Sequence, residues 1–500
     1  MKYITILEAA KKLNLSERSI RNYCQHGRIP GAQLDGKTWL IPENFTRPTR
    51  INGKENDNKD EFIATGYDLI RFIDNSPVNF FAIDNAKKTL LENGYVELFE
   101  NEPLKAKRGD KFFLLRNGTS IIAINIGENV NEDNASFHVI ASHSDSPCFK
   151  IKPEADSMSC SYNRLNVEPY GGLIMSTWLD RPLSIAGRVI VKNKDSLESK
   201  LLNLHDTVAM IPNVCIHFNR EINQGYKYDP SVDLQAYIAQ ENEGQPFKEL
   251  VAKELDVEKE DILNFDLYLY NNEPGYLWGQ KKEFVSSPRL DDLECVFASL
   301  QAFVRSNNKN SINVFYVADN EEVGSSSRQG ADSDFLENTL KNLSSVLGIN
   351  YYTSIANSFL ISADNAHAVH PNKPALTDAS NKLLMNHGVG IKYNASQSYT
   401  SDAVSGAIFQ KLCENSGVPY QFFTNRSDIR GGSTLGNILL NHVSLLSVDM
   451  GLPQLAMHSS LETAGTIDIK HAIDAFKEFY SSTIEVKGNR YTVKKEEGKL

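Results

Sequence analysis

Four short apolar, β-rich runs along the chain each end in acids or histidines. Phe137 to Ser142 (FHVIAS) runs into His143-Ser144-Asp145, and Ile312 to Val317 (INVFYV) runs into Asp319-Asn320-Glu321-Glu322. Phe359 to Ser362 (FLIS) runs into Asp364. Ser444 to Val448 (SLLSV) leads to Asp449 and, through a loop, to His458. Runs of this length predict strands, and helix-periodic stretches between them, such as Leu293 to Arg305, predict an α/β sheet. In such sheets, sites form beyond the carboxyl ends of the strands. The pattern therefore delivers His, Asp, Glu, Asp and His to one edge. Asp291, in Pro288-Arg289-Leu290-Asp291-Asp292 just before a helix, is a further contributor.

The first 46 residues read differently. Residues 5–12 (TILEAAKK) predict a short helix, and Ser16 is placed to cap a second, Glu17 to Gln25, with Gly27 past its end. Asp35-Gly36 between two short apolar-alternating runs predicts a hairpin. Two helices and a hairpin make a small winged helix-turn-helix. Arg18, Arg21 and Asn22 are its candidates for a DNA major groove, and Lys37 for a phosphate. Residues 47–60, polar and nearly free of apolar side chains, are expected to be a linker.

Charge separates the same two parts. Residues 1–50 carry nine Lys and Arg against four Asp and Glu, within a chain whose net charge is -11. A basic head on an acidic body suggests different partners for each, and DNA is excluded for the body. The 500 residues, 41% hydrophobic and 23% charged, fit a folded chain of several domains. No stretch reaches the roughly 18 apolar residues of a membrane helix, and the first 20 residues lack a signal-peptide pattern. The six cysteines form no CxxC pair, which excludes a cysteine zinc cluster and fits a reducing cytoplasm.

Two neighbouring zinc ions need one bridging carboxylate and about two further ligands each. His143 and His458 supply one each, Glu322 and Asp364 one each, and Asp291 is the bridge. Glu321, beside a ligand but turned away from it, is then free to take a proton from water. Asp145, two residues after His143, is placed to orient that imidazole.

At these positions the chain resembles the aspartyl aminopeptidases and their aminopeptidase I relatives, dinuclear zinc exopeptidases. The matching segments include ASHSDSPCFKIKP, YGGLIMSTWLDRPLSIAGRV, SSPRLDDL, ADNEEVGSSSRQGA, SADNAHAVHPN and PQLAMHSSLETAG. The N-terminal stretch resembles excisionase-like and MerR-like modules. The first resemblance implies a catalytic domain with a central mixed sheet, residues 61–152 and 285–490, interrupted by a smaller β-rich dimerisation domain, 153–284. It implies the same five ligands, Glu321 as base and Asp145 beside a ligand. It also implies that His217, in IPNVCIH, reaches a neighbouring subunit's site within a homo-oligomer of dimers, a dodecamer. Lys392, with His367 and Tyr399, would receive an acidic side chain. The expected protein is a cytoplasmic zinc aminopeptidase releasing N-terminal Asp or Glu from peptides. The alternatives are an aminopeptidase preferring neutral residues, or a DNA-binding regulator whose peptidase body is a sensor.

Overall fold

The computed structural model describes residues 3–13, 20, 24, 29, 32–35, 38–43, 54–241 and 244–495, with 54–59 by backbone alone. The chain divides into two compact units, residues 1–64 and 65–500.

In the first unit, helix Ile6–Leu13 opens on a capping box. The Thr5 N–H donates to Glu8 Oε2 at 2.8 Å and the Glu8 N–H to Thr5 Oγ1 at 3.3 Å. Three short antiparallel strands, Tyr3–Ile4, Thr38–Pro42 and Gln33–Asp35, form its sheet. Ile20 and Cys24, four apart as on one helix face, are buried with Ile6, Ala9, Ala10 and Ile41. The candidate DNA contacts Arg18, Arg21, Asn22 and Lys37 lie outside the described residues. The expected linker ends early, because a helix runs from Lys54 to Asp74.

The second unit is organised by a nine-stranded mixed sheet. The four runs singled out in the sequence are four adjacent parallel strands, in the order Leu446–Gly451, Phe359–Ala363, Phe137–His143 and Ile312–Ala318. The register aligns His143 with Ala318, and Ser362 with both Ala141 and Asp449, so the carboxyl ends share one edge. Alternate side chains feed two separate cores. Ile140, Phe315, Val317 and Ile361 pack under helices Leu290–Val304 and Thr466–Ser481. Val139, Val314, Tyr316 and Leu360 pack on the other face, with helix Phe335–Leu347. Burial on both faces explains why these strands read as continuous apolar runs rather than alternating ones.

The fourth strand continues through Asp449, which lies within the strand rather than beyond it. Its carboxylate accepts from Thr400 and Thr434 and stays out of the site.

The expected insertion contains a six-stranded antiparallel sheet with its own core. That sheet begins with Cys148–Ser159 and ends with Ile262–Asn271. Strand Tyr276–Trp278, expected inside the insertion, instead pairs with Phe284–Ser287. Phe284–Ser287 pairs with Glu462–Gly465, far along the chain, so the return to the catalytic body comes earlier than residue 284. Among the described residues no helix is long and apolar enough to cross a membrane.

Candidate metal centre

Five side chains from five segments converge at the shared strand edge. His143 is the last residue of its strand. Glu322 lies in the turn Glu321–Val323 just after strand Ile312–Ala318, and Asp364 directly follows Phe359–Ala363. Asp291 opens the helix Leu290–Val304, and His458 lies in the loop before strand Glu462–Gly465. Three of these turns pass through left-handed residues, Arg289, Asn320 and His458, a conformation that side chains rarely adopt.

The geometry has a bridge at its centre. Asp291 Oδ1 is 3.4 Å from His143 Nε2, while its Oδ2 is 3.5 Å from His458 Nε2. Asp364 Oδ1 lies 4.0 Å from His143 Nε2, and Glu322 Oε2 lies 3.2 Å from His458 Nε2. Two half-sites result, His143 with Asp364 and His458 with Glu322, sharing the two oxygens of Asp291. Ligands about 2.1 Å from a tetrahedral ion sit about 3.4 Å apart, so the observed separations suit a metal better than they suit direct hydrogen bonds.

The imidazoles are held in the tautomer that a metal needs. His143 Nδ1 is 3.0 Å from the Asp145 carbonyl, and His458 Nδ1 is 2.9 Å from the Gly172 carbonyl. A carbonyl only accepts, so each Nδ1 carries a hydrogen, and Nε2 is the atom left to give its lone pair to a metal once one is bound.

The charge balance also calls for cations. Burial, together with neighbouring acids, pushes Glu321 up to about 8 and Asp364 up to about 6. Glu322 is raised as well, chiefly by burial and then by Asp291. Burial would raise Asp291 too, but His143 and His458 outweigh it and hold that carboxyl below its usual range. Asp291 Oδ1 and Glu322 Oε1 are buried without a hydrogen-bond partner among the described residues. Buried acceptors crowded in this way fit a doubly charged ion of the zinc class.

Asp145 lies beside His143 and also reaches the turn that carries Glu321 and Glu322. Its Oδ1 is 3.5 Å from His143 Nδ1. The same carboxylate accepts the backbone N–H groups of Glu321 and Glu322, at 3.1 and 3.2 Å, and the Tyr170 hydroxyl at 2.7 Å. It thereby ties two ligand-bearing segments together.

Glu321 lines the pocket over His143, Asp291 and Asp364, and so do Lys392, His367 and Tyr399. Lys392 is buried, with Nζ 3.7 Å from Asp364 Oδ2 and donating to the Asn365 carbonyl at 3.1 Å. His217 is not brought there. It sits on an exposed turn of the inserted segment, among the exposed Val214, Ile216 and Phe218.

Sequence reasoning missed three supporting acids. Asp292 accepts the His143 N–H at 3.1 Å. Glu294 accepts from Asn365, the neighbour of Asp364, at 2.8 Å. Glu462 accepts the backbone N–H groups of two candidate ligands, Asp291 at 3.0 Å and His458 at 2.6 Å. Only the adjacency of Asp292 and Glu294 to Asp291 offered a signal. Glutamine at 462 keeps one acceptor and turns an amide donor toward the other N–H. Glu462→Gln is therefore expected to weaken metal binding by about 10–100-fold, measured by competition with a chelator. Unchanged affinity would show that the two segments hold their positions without Glu462.

Comparison with known proteins agrees with this geometry. The family model described as aminopeptidase I zinc metalloprotease (M18) matches residues 72–480, and a helix-turn-helix domain model matches residues 3–44. A "Probable M18 family aminopeptidase 2" of Clostridium novyi (strain NT) is 45% identical over 427 residues, covering 83% of this chain and 98% of its own. A protein of the same description from Ectopseudomonas mendocina (strain ymp) is 36% identical, covering 83% and 97%. A chain in the cryo-EM structure of the Ape4 and Nbr1 complex superposes with a TM-score of 0.82 at 32% identity, covering 86% of this chain and 87% of that one. The S. cerevisiae mApe1 dodecamer gives a TM-score of 0.73 at 27% identity, covering 83% and 96%. Matched from the sheet through the metal cluster to the closing helix, this chain belongs to the M18 family of zinc metalloaminopeptidases.

Proposed function

We propose that the chain releases N-terminal Asp or Glu from peptides, using two zinc ions held by His143, Asp291, Glu322, Asp364 and His458. The observation that carries the acidic preference is Lys392, a buried ammonium in the wall of the metal-lined pocket. Burial works against its charge, but Asp364 and Tyr399 outweigh burial and raise its pKa, so it stays protonated. An ammonium has three donors, and here one goes to the Asn365 carbonyl. Once Asp364 shares its charge with a metal, Lys392 is the group that a substrate carboxylate would pair with. Tyr399, whose ring lies 5.4 Å from Nζ, and His367 complete that wall.

Bound zinc would supply Lewis-acid polarisation of the scissile carbonyl and a lower pKa for water. Glu321 accepts the water proton and passes it to the leaving amine, a role its place in the pocket over His143, Asp291 and Asp364 allows. His217, exposed on its turn, donates to the developing oxyanion in a neighbouring subunit. That role makes the working enzyme a homo-oligomer, and the similar mApe1 of S. cerevisiae forms a dodecamer. The unpaired state of all six cysteines supports a cytoplasmic setting. The helix-turn-helix match supports DNA as the partner of the N-terminal unit.

Glu321→Gln is expected to keep zinc content near normal while turnover drops by several orders of magnitude. Activity within tenfold of the unaltered enzyme would assign the base elsewhere.

Lys392→Leu is expected to lower kcat/KM for Asp-linked substrates by roughly 10²–10³, and for Leu-linked substrates far less. Comparing both substrates in one variant cancels any effect of Lys392 on Asp364. Equal losses would favour the neutral-preferring alternative.

Subunits carrying His217→Ala and subunits carrying Glu321→Gln should each be nearly inactive and should regain activity when mixed. Some sites would then join an intact Glu321 to a neighbour's intact His217. Deletion of residues 1–53, which stops short of the helix at Lys54, should leave that rescue in place. No rescue despite confirmed subunit exchange would remove His217 from the site.

A further inference from the structure

A second cavity adjoins the pocket that holds the candidate metal ligands. The two share three walls: His367, Phe423 and Met457. Past these the second cavity is largely apolar, lined by Leu376, Ile429 and Leu455. Phe423 faces both spaces, its ring centroid 6.3 Å from that of Tyr399 on one side and 6.4 Å from that of His367 at the junction. Leu376 is 56% exposed and Ile429 37%, so the chain leaves this apolar surface open. Arg426 on the same wall is neutralised by a two-pronged pair with Asp428, at 2.6 and 2.7 Å. The cavity therefore offers a substrate contact area without net charge.

An aminopeptidase leaves nothing of the substrate ahead of the first residue. The free amine and the first side chain occupy the end bounded by the metal ligands and Lys392. The rest of the peptide has to run away from that end, and the apolar cavity is the neighbouring space that shares its lining residues. We infer that this cavity receives the side chain of the second residue, so that the enzyme favours a medium or large apolar residue such as Leu, Met or Phe after the one it removes. Leu376 and Ile429 then determine specificity for that second position. The inference rests on the proposed placement of the first residue against Lys392.

The test uses the full-length oligomer and tetrapeptide pairs that differ only at the second residue, Xaa-Leu-Gly-Gly and Xaa-Ser-Gly-Gly. The first residue is whichever the enzyme removes fastest, so a failure of the acidic preference appears separately, as Leu-first peptides outrunning Asp-first ones. The unaltered enzyme should favour the Leu member by about tenfold in kcat/KM, the scale on which a hydrophobic pocket discriminates. In a Leu376→Ser, Ile429→Ser double variant that ratio should collapse toward one, while Ile429→Val should keep most of it. Equal kcat/KM for the two peptides in the unaltered enzyme overturns the inference, whether or not the variants fold. So does a tenfold preference that persists in the double variant.

Discussion

The rest of the molecule is arranged around one electrostatic problem: too many carboxylates in one buried place. The ligand atoms of each cluster at the strand edge lie within 4.8 Å of one another. At an effective dielectric of about 20, two like charges that far apart repel by about 3.5 kcal/mol. Burial first, and then the neighbouring acids, raise Glu321, Glu322 and Asp364 despite the two imidazoles and one lysine nearby. Crowded, buried carboxylates of this kind would be relieved by a divalent cation. Asp291 is the pivot, because each of its oxygens serves a different histidine.

Such a site needs a rigid frame, and the frame is mostly backbone. Parallel strands buried on both faces end at one level, so His143 and Asp364 need no long loops to meet. The segments that do arrive on loops are tied by carboxylates accepting main-chain N–H groups. Asp145 grips the Glu321–Glu322 turn, and Glu462 grips both Asp291 and His458. The inserted sheet contributes as well, since the Gly172 carbonyl that fixes His458 follows its strand Tyr162–Tyr170. The Cβ that a side chain at Gly171 would add lies only 3.1 Å from the Cβ of Glu322. With φ at +75°, that position favours glycine twice over.

This frame explains what the sequence makes legible. A strand buried on both faces leaves an apolar run, and a ligand at its end stands out against that run. His143, Glu322 and Asp364 are readable for that reason, Asp291 because it precedes a strong helical pattern, and His458 only through the loop that follows the fourth run. Glu462 leaves no such trace. Its role is to accept two N–H groups, and every residue but proline carries one. The early end of the insertion is equally hidden, because Phe284–Ser287 finds its partner strand at Glu462–Gly465. Lys392 and His217 carry no local pattern at all, and only the family resemblance singles them out. On the N-terminal unit the buried Ile20 and Cys24 follow the helical spacing, while the basic candidates on that stretch lie outside the described residues.

On the proposed function, Lys392 makes the metal site and the specificity wall depend on each other. Its nearest carboxylate, Asp364, also faces His143 in one half of the cluster. Without cations, Lys392 is one of the few positive charges offsetting the acids. On the proposed ligand set, a cation held by Asp364 would take up that carboxylate's charge and leave the lysine buried and short of a counter-charge. An acidic first residue supplies that counter-charge, and a neutral one does not. Selectivity of this kind requires no pocket shaped tightly to aspartate. It requires that loading the metals create a demand for negative charge a few Å away, next to the carbonyl to be cleaved. The same coupling implies that acidic products bind best to the metal-loaded enzyme, and that removing the metals releases them.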